Sequence, residues 1–385
     1  MTSGISLTQR AFVFPKYGEY PSLQTNVTTP SLFAPTQEGA DANPDRGEKE
    51  SLNKRPRRAL VRVHAASLNP IDKIRQSGGL RFLRPETKWP AVLGYDVSGV
   101  VVDKGSSTKF EVGDAVAARV NNSEGTVAEF AVVEDDTAVK IDATRISFED
   151  AAAVGLAGQT ALQAFRRGGV QKGDAVLITA GAGGVGTLAI QIAKQIIGCR
   201  FVGVTASGAD KIQLCKNLGA DLVIDYKNEA PLDSDSMQTK IAAALRPPGA
   251  CDGADKFDFA LDCTGEAAKL VAVVKPGGQV RTLSGPSPTT DSLREIGQEP
   301  SFLMRMLLWF LKDRKLERKA ADFGVDWKFH FLLSNHVDQQ KLLDAVELRK
   351  LKVVIDSVHP LENAGKAWEQ LVSGRSKGKV VVKVL

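Results

Sequence analysis

The stretch DAVLITAGAGGVG, Asp174 to Gly186, decides how this chain is read. Asp174 to Thr179 is a short apolar run of strand character, and the glycines follow at once. Val185, Leu188, Ala189, Ile192, Ala193 and Ile196 then recur every three or four residues, an amphipathic helix over Val185 to Ile197. Gly181, Gly183 and Gly186 fit the spacing GxGxxG, which is weak alone and specific between a strand and a helix. Gly181 permits the tight turn, Gly183 lets backbone N–H groups approach a pyrophosphate, and Gly186 lets the helix pack closely on the sheet. Ala182, Gly184 and Val185 complete the loop, and the helix N-terminus turns free N–H groups and the positive dipole end toward phosphates. The competing reading is a plain glycine-rich turn, and the strand–turn–helix context favours the dinucleotide.

Working outward, strands and helices alternate from about Ser147 to Gly285. Phe201 to Thr205 reads as a second strand, Lys211 to Leu218 as a second helix, and Leu222 to Asp225, Phe257 to Asp262 and Gln279 to Leu283 as further strands. Repeated βα units imply a doubly wound parallel sheet covered by helices. The end of the second strand bears on the cofactor. An acid there holds the ribose 2′-hydroxyl of NAD, but this strand ends Val204-Thr205-Ala206-Ser207. Its absence removes repulsion against a 2′-phosphate. Ser207 can donate a hydrogen bond, Lys211 supplies charge, and the Tyr226 hydroxyl can donate, so the expected cofactor is NADPH. Lys211 also reads as a solvated helix lysine and Tyr226 as an edge residue of the core.

The first 140 residues have another texture: Arg10 to Tyr17, Ala59 to Ala65, Val97 to Val102, Ala115 to Arg119 and Ala128 to Val133 read as short strands between turn residues. A polar stretch, about 19–57, reads as a mobile surface insertion. Lys379 to Val384 is a strand outside the βα alternation, expected to return to the first domain.

Composition bounds the rest. A chain of 385 residues suits two domains. With 43% apolar and 25% charged residues it is neither disordered throughout nor fibrous nor a disulfide scaffold. A net charge of +5 is scattered, so nucleic acid is not an expected partner. The four cysteines and four histidines show no metal-ligand spacing, and unclustered cysteines suit a reducing intracellular compartment, cytoplasm or organelle. The N-terminus lacks a secretory core. The apolar run FLMRMLLWFL, Phe302 to Leu311, is about half of a spanning helix. It could line a substrate pocket, cover a subunit interface or, with the basic flank Lys312, Arg314, Lys315 and Arg318, touch a membrane surface through residues 302–318.

Further landmarks are AASLNPIDKIRQSGG (Ala65 to Gly79), LGYDVSGVV (Leu93 to Val101), GTVAEFAVV (Gly125 to Val133), LGADLVIDY (Leu218 to Tyr226) and SGRSKGKVVVKV (Ser373 to Val384). With the glycine loop, they make the chain resemble the medium-chain dehydrogenase/reductase superfamily over nearly its whole length. It is similar to the zinc-free quinone oxidoreductase branch, with its plant-type NADPH-dependent alkenal/one oxidoreductases and chloroplast-envelope quinone oxidoreductase homologue. The resemblance implies an α/β chain in which a Rossmann sheet, residues 151–337, is inserted in a GroES-like β-rich catalytic domain made of residues 1–150 and 338–385. It also implies a homodimer and an active site in the interdomain cleft. Zinc-dependent members carry a cysteine where this chain has Asn69, and Gly-His-Glu where it has Gly94-Tyr95-Asp96; neither Asn nor Tyr is a usual zinc ligand.

An acceptor that takes hydride without a Lewis acid needs a conjugated system. The expected reaction is hydride transfer to the β-carbon of an enal or enone, with hydrogen-bond donors at the enolate oxygen and protonation at the α-carbon. A quinone is the alternative acceptor. A cofactor-binding protein without turnover is the alternative of another class, since relatives serve as lens crystallins or bind RNA. Asn69 resembles the family residue facing nicotinamide and substrate, although Asn69-Pro70 with Asp72 also reads as a helix N-cap. Lys73 and Tyr95 are further catalytic candidates, against a solvated helix face for the lysine and packing beneath the cofactor for the tyrosine. Thr160, at the start of a long helix, resembles a residue near the nicotinamide and reads equally as a cap. Cys263, Thr264 and Gly265 end a strand where backbone groups would meet the nicotinamide ribose, the cysteine reading better as a small buried group than as a nucleophile. Lys379 resembles a lysine near the cofactor and also reads as a strand-edge charge.

Overall fold

The computed structural model describes residues 5–32, 56–79, 81, 85–121, 124–246, 255–285 and 288–385. The chain divides into two compact units, one of residues 1–159, 334–349 and 353–385, the other of residues 160–333 and 350–352.

The first unit opens with β1 (Thr8–Phe14), β2 (Ser22–Thr28), β3 (Arg58–Leu68), β4 (Ala91–Val92), β5 (Asp96–Asp103), β6 (Ala115–Arg119), β7 (Phe130–Glu134) and β8 (Ala138–Lys140). The second unit carries β9 (Ala175–Ile178), β10 (Phe201–Ala206), β11 (Leu222–Asp225), β12 (Phe257–Asp262), β13 (Val274–Thr282) and β14 (Asp326–Phe329). The chain then returns to the first unit with β15 (Ile355–Pro360) and β16 (Lys379–Lys383).

In the second unit the order is β11-β10-β9-β12-β13-β14, every pair parallel. This is the dinucleotide-binding order, with β9 at the point where the connections reverse direction. Parallel pairing requires crossover helices, so the central strands are apolar throughout: all four residues of β9 are buried. The core between sheet and helices includes Leu177, Ile224, Ile241, Phe257 and Leu270.

The first unit is mainly antiparallel, in the order β15-β16-β3-β5-β6-β8, with β7 also on β3 and a smaller sheet β2-β1-β4. The C-terminal strand pairs antiparallel with β3, Val380 opposite Leu68, as its sequence pattern predicts. Its core holds Phe12, Phe14, Val61, Val97, Val116 and Trp368.

Two expectations are corrected. The polar stretch 19–57 is not one unstructured insertion: Ser22–Thr28 pairs antiparallel with β1. It lacks an apolar signature because Val27 alone of its side chains is buried, so backbone pairing rather than a hydrophobic face holds it. Residues 33–55 lie outside the described part. The helix over Val185 to Ile197 is α-helical only through Gln191; Ile192–Ile197 is a π-helix that stops at Gly198 in the left-handed region (φ 83°). The apolar spacing specifies the buried face but not this widening of the turns.

Candidate functional site

In the second unit, the turn after β9 is tied to β10. The Gly181 N–H donates to Thr205 O at 2.8 Å and the Ala180 N–H to Thr205 Oγ1 at 3.1 Å. Ala180 has φ 51°, a left-handed conformation that costs a residue with a Cβ about 1–2 kcal/mol, so the turn holds strain. A Cβ on Gly186 would stand 2.3 Å from Ala180 O, and one on Gly181 2.8 Å from Val204 Cβ. Gly183 is the N-cap of the helix Gly184–Gln191 and offers no capping side chain. The first N–H groups of that helix, from Gly184, Val185 and Gly186, therefore have no intrahelical acceptor. With the small Ala182 buried at the turn, the result is a cradle of backbone donors at a positive helix end, with the chemistry of a pyrophosphate site.

Ser207 follows β10, and its hydroxyl donates to the Asp225 carboxylate, which that bond and the Asn228 amide hold below the usual range. Asp225 pairs with Ala206 across β10 and β11, so parallel register brings in a carboxylate that the β10 sequence does not contain. Lys211 lies in the first turn of the helix Ala209–Asn217, half-buried, and Tyr226 is 58% exposed rather than an edge residue of the core.

Cys263, Thr264 and Gly265 follow β12 and are held by a group the sequence reading missed. Asp262 is fully buried; its carboxylate accepts from the N–H groups of Thr264 (3.0 Å) and Gly265 (2.9 Å) and from the hydroxyls of Thr179 (3.3 Å) and Thr282 (3.0 Å). The Cys263 N–H donates to Thr179 Oγ1 at 2.7 Å. A carboxylate closing the apolar strand FDFALD is the signal that could have revealed it, because a buried charge needs such partners. Thr160 is 6% exposed and lies well inside the 20-residue helix Phe148–Arg167, so it is not a helix cap.

In the first unit, Asn69 is the N-cap of the helix Pro70–Gln76, with proline at its first position. The capping is done by Asp72, whose carboxylate accepts the Asn69 N–H at 2.8 Å and the Gly94 N–H at 2.8 Å. Burial nevertheless pushes the Asp72 carboxyl up to about 6, against those two bonds and the Arg75 charge. The Asn69 side chain is engaged elsewhere. Its Nδ2 donates to Asp96 Oδ2 at 2.9 Å and to Ser67 O at 3.3 Å, while its Oδ1 accepts from the Lys379 ammonium. Asp96 also receives the Ser67 hydroxyl at 2.9 Å and the Leu156 N–H at 2.7 Å. Lys379 is 4% exposed on a strand flanked on both sides, so it is not a strand-edge charge. Tyr95 is 6% exposed, its ring 5.7 Å and 5.2 Å from the guanidinium carbons of Arg75 and Arg119. Desolvation pushes its phenol up, so the hydroxyl stays a donor at neutral pH. Lys73 is exposed on the helix surface. The structure thus gathers Asn69 and Lys379 into one buried cluster and leaves Lys73 outside it.

A parallel sheet in this order, with an unobstructed glycine turn where the connections reverse, defines an α/β protein built to bind a dinucleotide. Comparison with known proteins carries this further. Residues 55–143 match the family described as alcohol dehydrogenase GroES-like domain, and residues 218–382 match the family described as zinc-binding dehydrogenase. The 2-methylene-furan-3-one reductase of Solanum lycopersicum is 33% identical over 333 residues, covering 84% of this chain and 71% of that protein. The chloroplastic NADPH-dependent alkenal/one oxidoreductase of Arabidopsis thaliana is 31% identical over 87% of this chain and 79% of its own length. The solved quinone oxidoreductase from Coxiella burnetii matches with a TM-score of 0.72 at 27% identity, over 98% of this chain and 99% of that one. The chain belongs to the medium-chain dehydrogenase/reductase superfamily, and it is an oxidoreductase.

The second family description names zinc, and the residues present do not fit that metal. At the position of the expected cysteine ligand, the Asn69 oxygen already accepts from an ammonium, and Asp96 lies against the same Lys379. A divalent cation there would meet the buried Lys379 ammonium, with the Asn69 oxygen and the Asp96 carboxylate already engaged and no thiolate or imidazole in the matching positions.

Proposed function

We propose that this chain is an NADPH-dependent, zinc-independent reductase of enals and enones. The observation that carries the proposal is the cradle of backbone N–H groups at Gly184 to Gly186, shaped by Gly181, Gly183 and the small Ala182, beside a β10 end that bears Ser207 and no acid of its own. Bound there, the reduced dinucleotide would supply a hydride for the β-carbon of a conjugated carbonyl. The names of the tomato and Arabidopsis relatives support that acceptor.

The chain's own residues divide as follows. The N–H groups of Gly184 to Gly186 hold phosphate, while Gly181 and Ala182 shape the turn. Lys211 supplies charge for a 2′-phosphate and Tyr226 a hydroxyl, while Ser207, whose hydroxyl donates to Asp225 in this structure, would turn that proton to the phosphate on binding. Cys263, Thr264 and Gly265, fixed by Asp262, present backbone toward the nicotinamide ribose, and Thr160 packs near the ring. Asn69 has both ends of its amide engaged, so its role is to position Lys379 and Asp96. That leaves Tyr95, a protonated phenol, and Lys73, an exposed ammonium, as donors toward a developing enolate oxygen. The α-carbon takes its proton from water or a side chain.

A quinone is the second reading, supported by the likeness to the quinone oxidoreductase from Coxiella burnetii. The superfamily resemblance supports a homodimer, and β14 forms one edge of the parallel sheet. Among the described residues, no helix is long and apolar enough to cross a membrane.

The test is the loss of reduced-nicotinamide absorbance with a panel of enals, enones and quinones, using NADPH and NADH. Turnover of enals with NADPH, reduced in Tyr95→Phe and Lys73→Gln, supports the proposal. Quinone-only turnover transfers it to the second reading, and tight NADPH binding without turnover on any acceptor removes both.

A further inference from the structure

The helix Phe302–Leu311 is held at its start by Ser301, whose hydroxyl accepts the Met304 N–H at 3.3 Å. Nine of its ten residues are apolar. At about 100° per residue, Trp309, Phe302, Met306, Phe310, Leu303 and Leu307 follow one another around roughly 160° of the helix. All six are exposed, from 46% for Met306 to 78% for Phe302, whereas Leu308 on the far side is buried. Six large apolar side chains facing water on three turns form a contiguous patch of the kind that marks an interaction surface.

The next helix, Arg314–Asp322, buries Leu316 and Ala320 and leaves Arg314, Lys315 and Arg318 exposed. These three form no ion pair among the described residues, in contrast to Lys312 with Glu317 and Lys319 with Asp233. The Arg314 guanidinium carbon stands 4.7 Å from the Trp309 ring centroid. An apolar face, a tryptophan at its border and unneutralised cations therefore sit side by side.

We propose that this helix pair docks on an anionic lipid bilayer. The Phe302–Leu311 helix lies in the plane of the interface with its apolar face among the acyl chains, and Arg314, Lys315 and Arg318 meet acidic headgroups. Length excludes spanning, since ten residues reach about 15 Å against a hydrocarbon core of about 30 Å. Length also disfavours a second copy as occupant. A face about 15 Å long cannot by itself supply the roughly 1,200–2,000 Å² that a stable protein interface buries. A bilayer needs no complementary shape and supplies the opposite charge.

The test uses the full chain in co-sedimentation with phosphatidylcholine vesicles, with and without phosphatidylglycerol, at low and high salt. The expected result is sedimentation with the anionic vesicles that weakens with salt. The double variant Leu307→Asp, Phe310→Asp should partition at least about thirtyfold less, having lost two large apolar groups. Lys315→Gln with Arg318→Gln should lose most of the preference for anionic lipid. All four positions are exposed, and an unchanged melting temperature with unchanged NADPH binding shows that the variants fold. Wild-type chain remaining in the supernatant with anionic vesicles overturns the proposal. So does sedimentation of the Asp variant equal to wild type. A lipid-free oligomer that the Asp variant converts to a smaller species overturns it as well, assigning the face to a second copy.

Discussion

Lys379 Nζ and Asp96 Oδ2 stand 3.5 Å apart in the interior of the first unit, 4% and 0% exposed, although 283 residues separate them along the chain. Asn69 touches both. The last strand of the chain thus delivers an ammonium to a carboxylate that the first part of the chain has already buried.

Removing the lysine takes away the ammonium that faces the buried Asp96 carboxylate. Lys379→Met should destabilise the protein by about 3–5 kcal/mol, measured by urea unfolding. Adding Asp96→Asn should recover part of that loss, and a double variant no better than the sum of the singles would refute the coupling.

Two buried groups oppose each other in acid. Burial, ahead of the neighbouring arginines, lowers His330 to about 3 from 6.5. Its contribution to stability is whole above pH 6.5 and is lost as pH falls from there toward about 3, by about 1.4 kcal/mol per pH unit. Asp72 is raised to about 6 from 3.8, so its contribution is whole below pH 3.8 and lost as pH rises to about 6. Between pH 4 and 6 the two slopes largely cancel. In His330→Leu the acid loss disappears, so stability should fall between pH 4 and 6 as pH rises. A variant whose unfolding free energy tracks wild type through that window would contradict the assignment.

Gly186→Ala should weaken NADPH binding by about a hundredfold or more, because its methyl group meets backbone 2.3 Å away and the turn must move. Titration calorimetry measures this directly. Gly365→Ala, where the added group meets nothing within 4 Å, serves as the control.

Lys211→Ala should lower NADPH affinity about tenfold, the scale of one charge-assisted hydrogen bond, with little change for NADH. The ratio of the two dissociation constants is the readout, and a parallel loss for both cofactors would remove Lys211 from phosphate selection.

What the sequence determined by itself was whatever short-range rules encode. The strand–glycine–helix passage at Asp174 to Gly186 was legible because a tight turn, a close backbone approach and a helix packed on a sheet each require a glycine at a set spacing. The strand β9 was legible as a continuous apolar run, and the return of Lys379 to Val384 from its place outside the βα alternation. Tertiary structure alone decided what depends on pairing between distant segments. Ser22–Thr28 is a strand only because β1 offers it a backbone edge. Asp225 meets Ser207 only through the β10–β11 register. The engagement of Asn69, read locally as a cap and from the family as a substrate contact, was settled by Asp96 and by Lys379 at the far end of the chain. A side chain's hydrogen-bonding capacity is written in its residue type, but which partner takes it up depends on which strands lie side by side, and that is a property of the folded sheet.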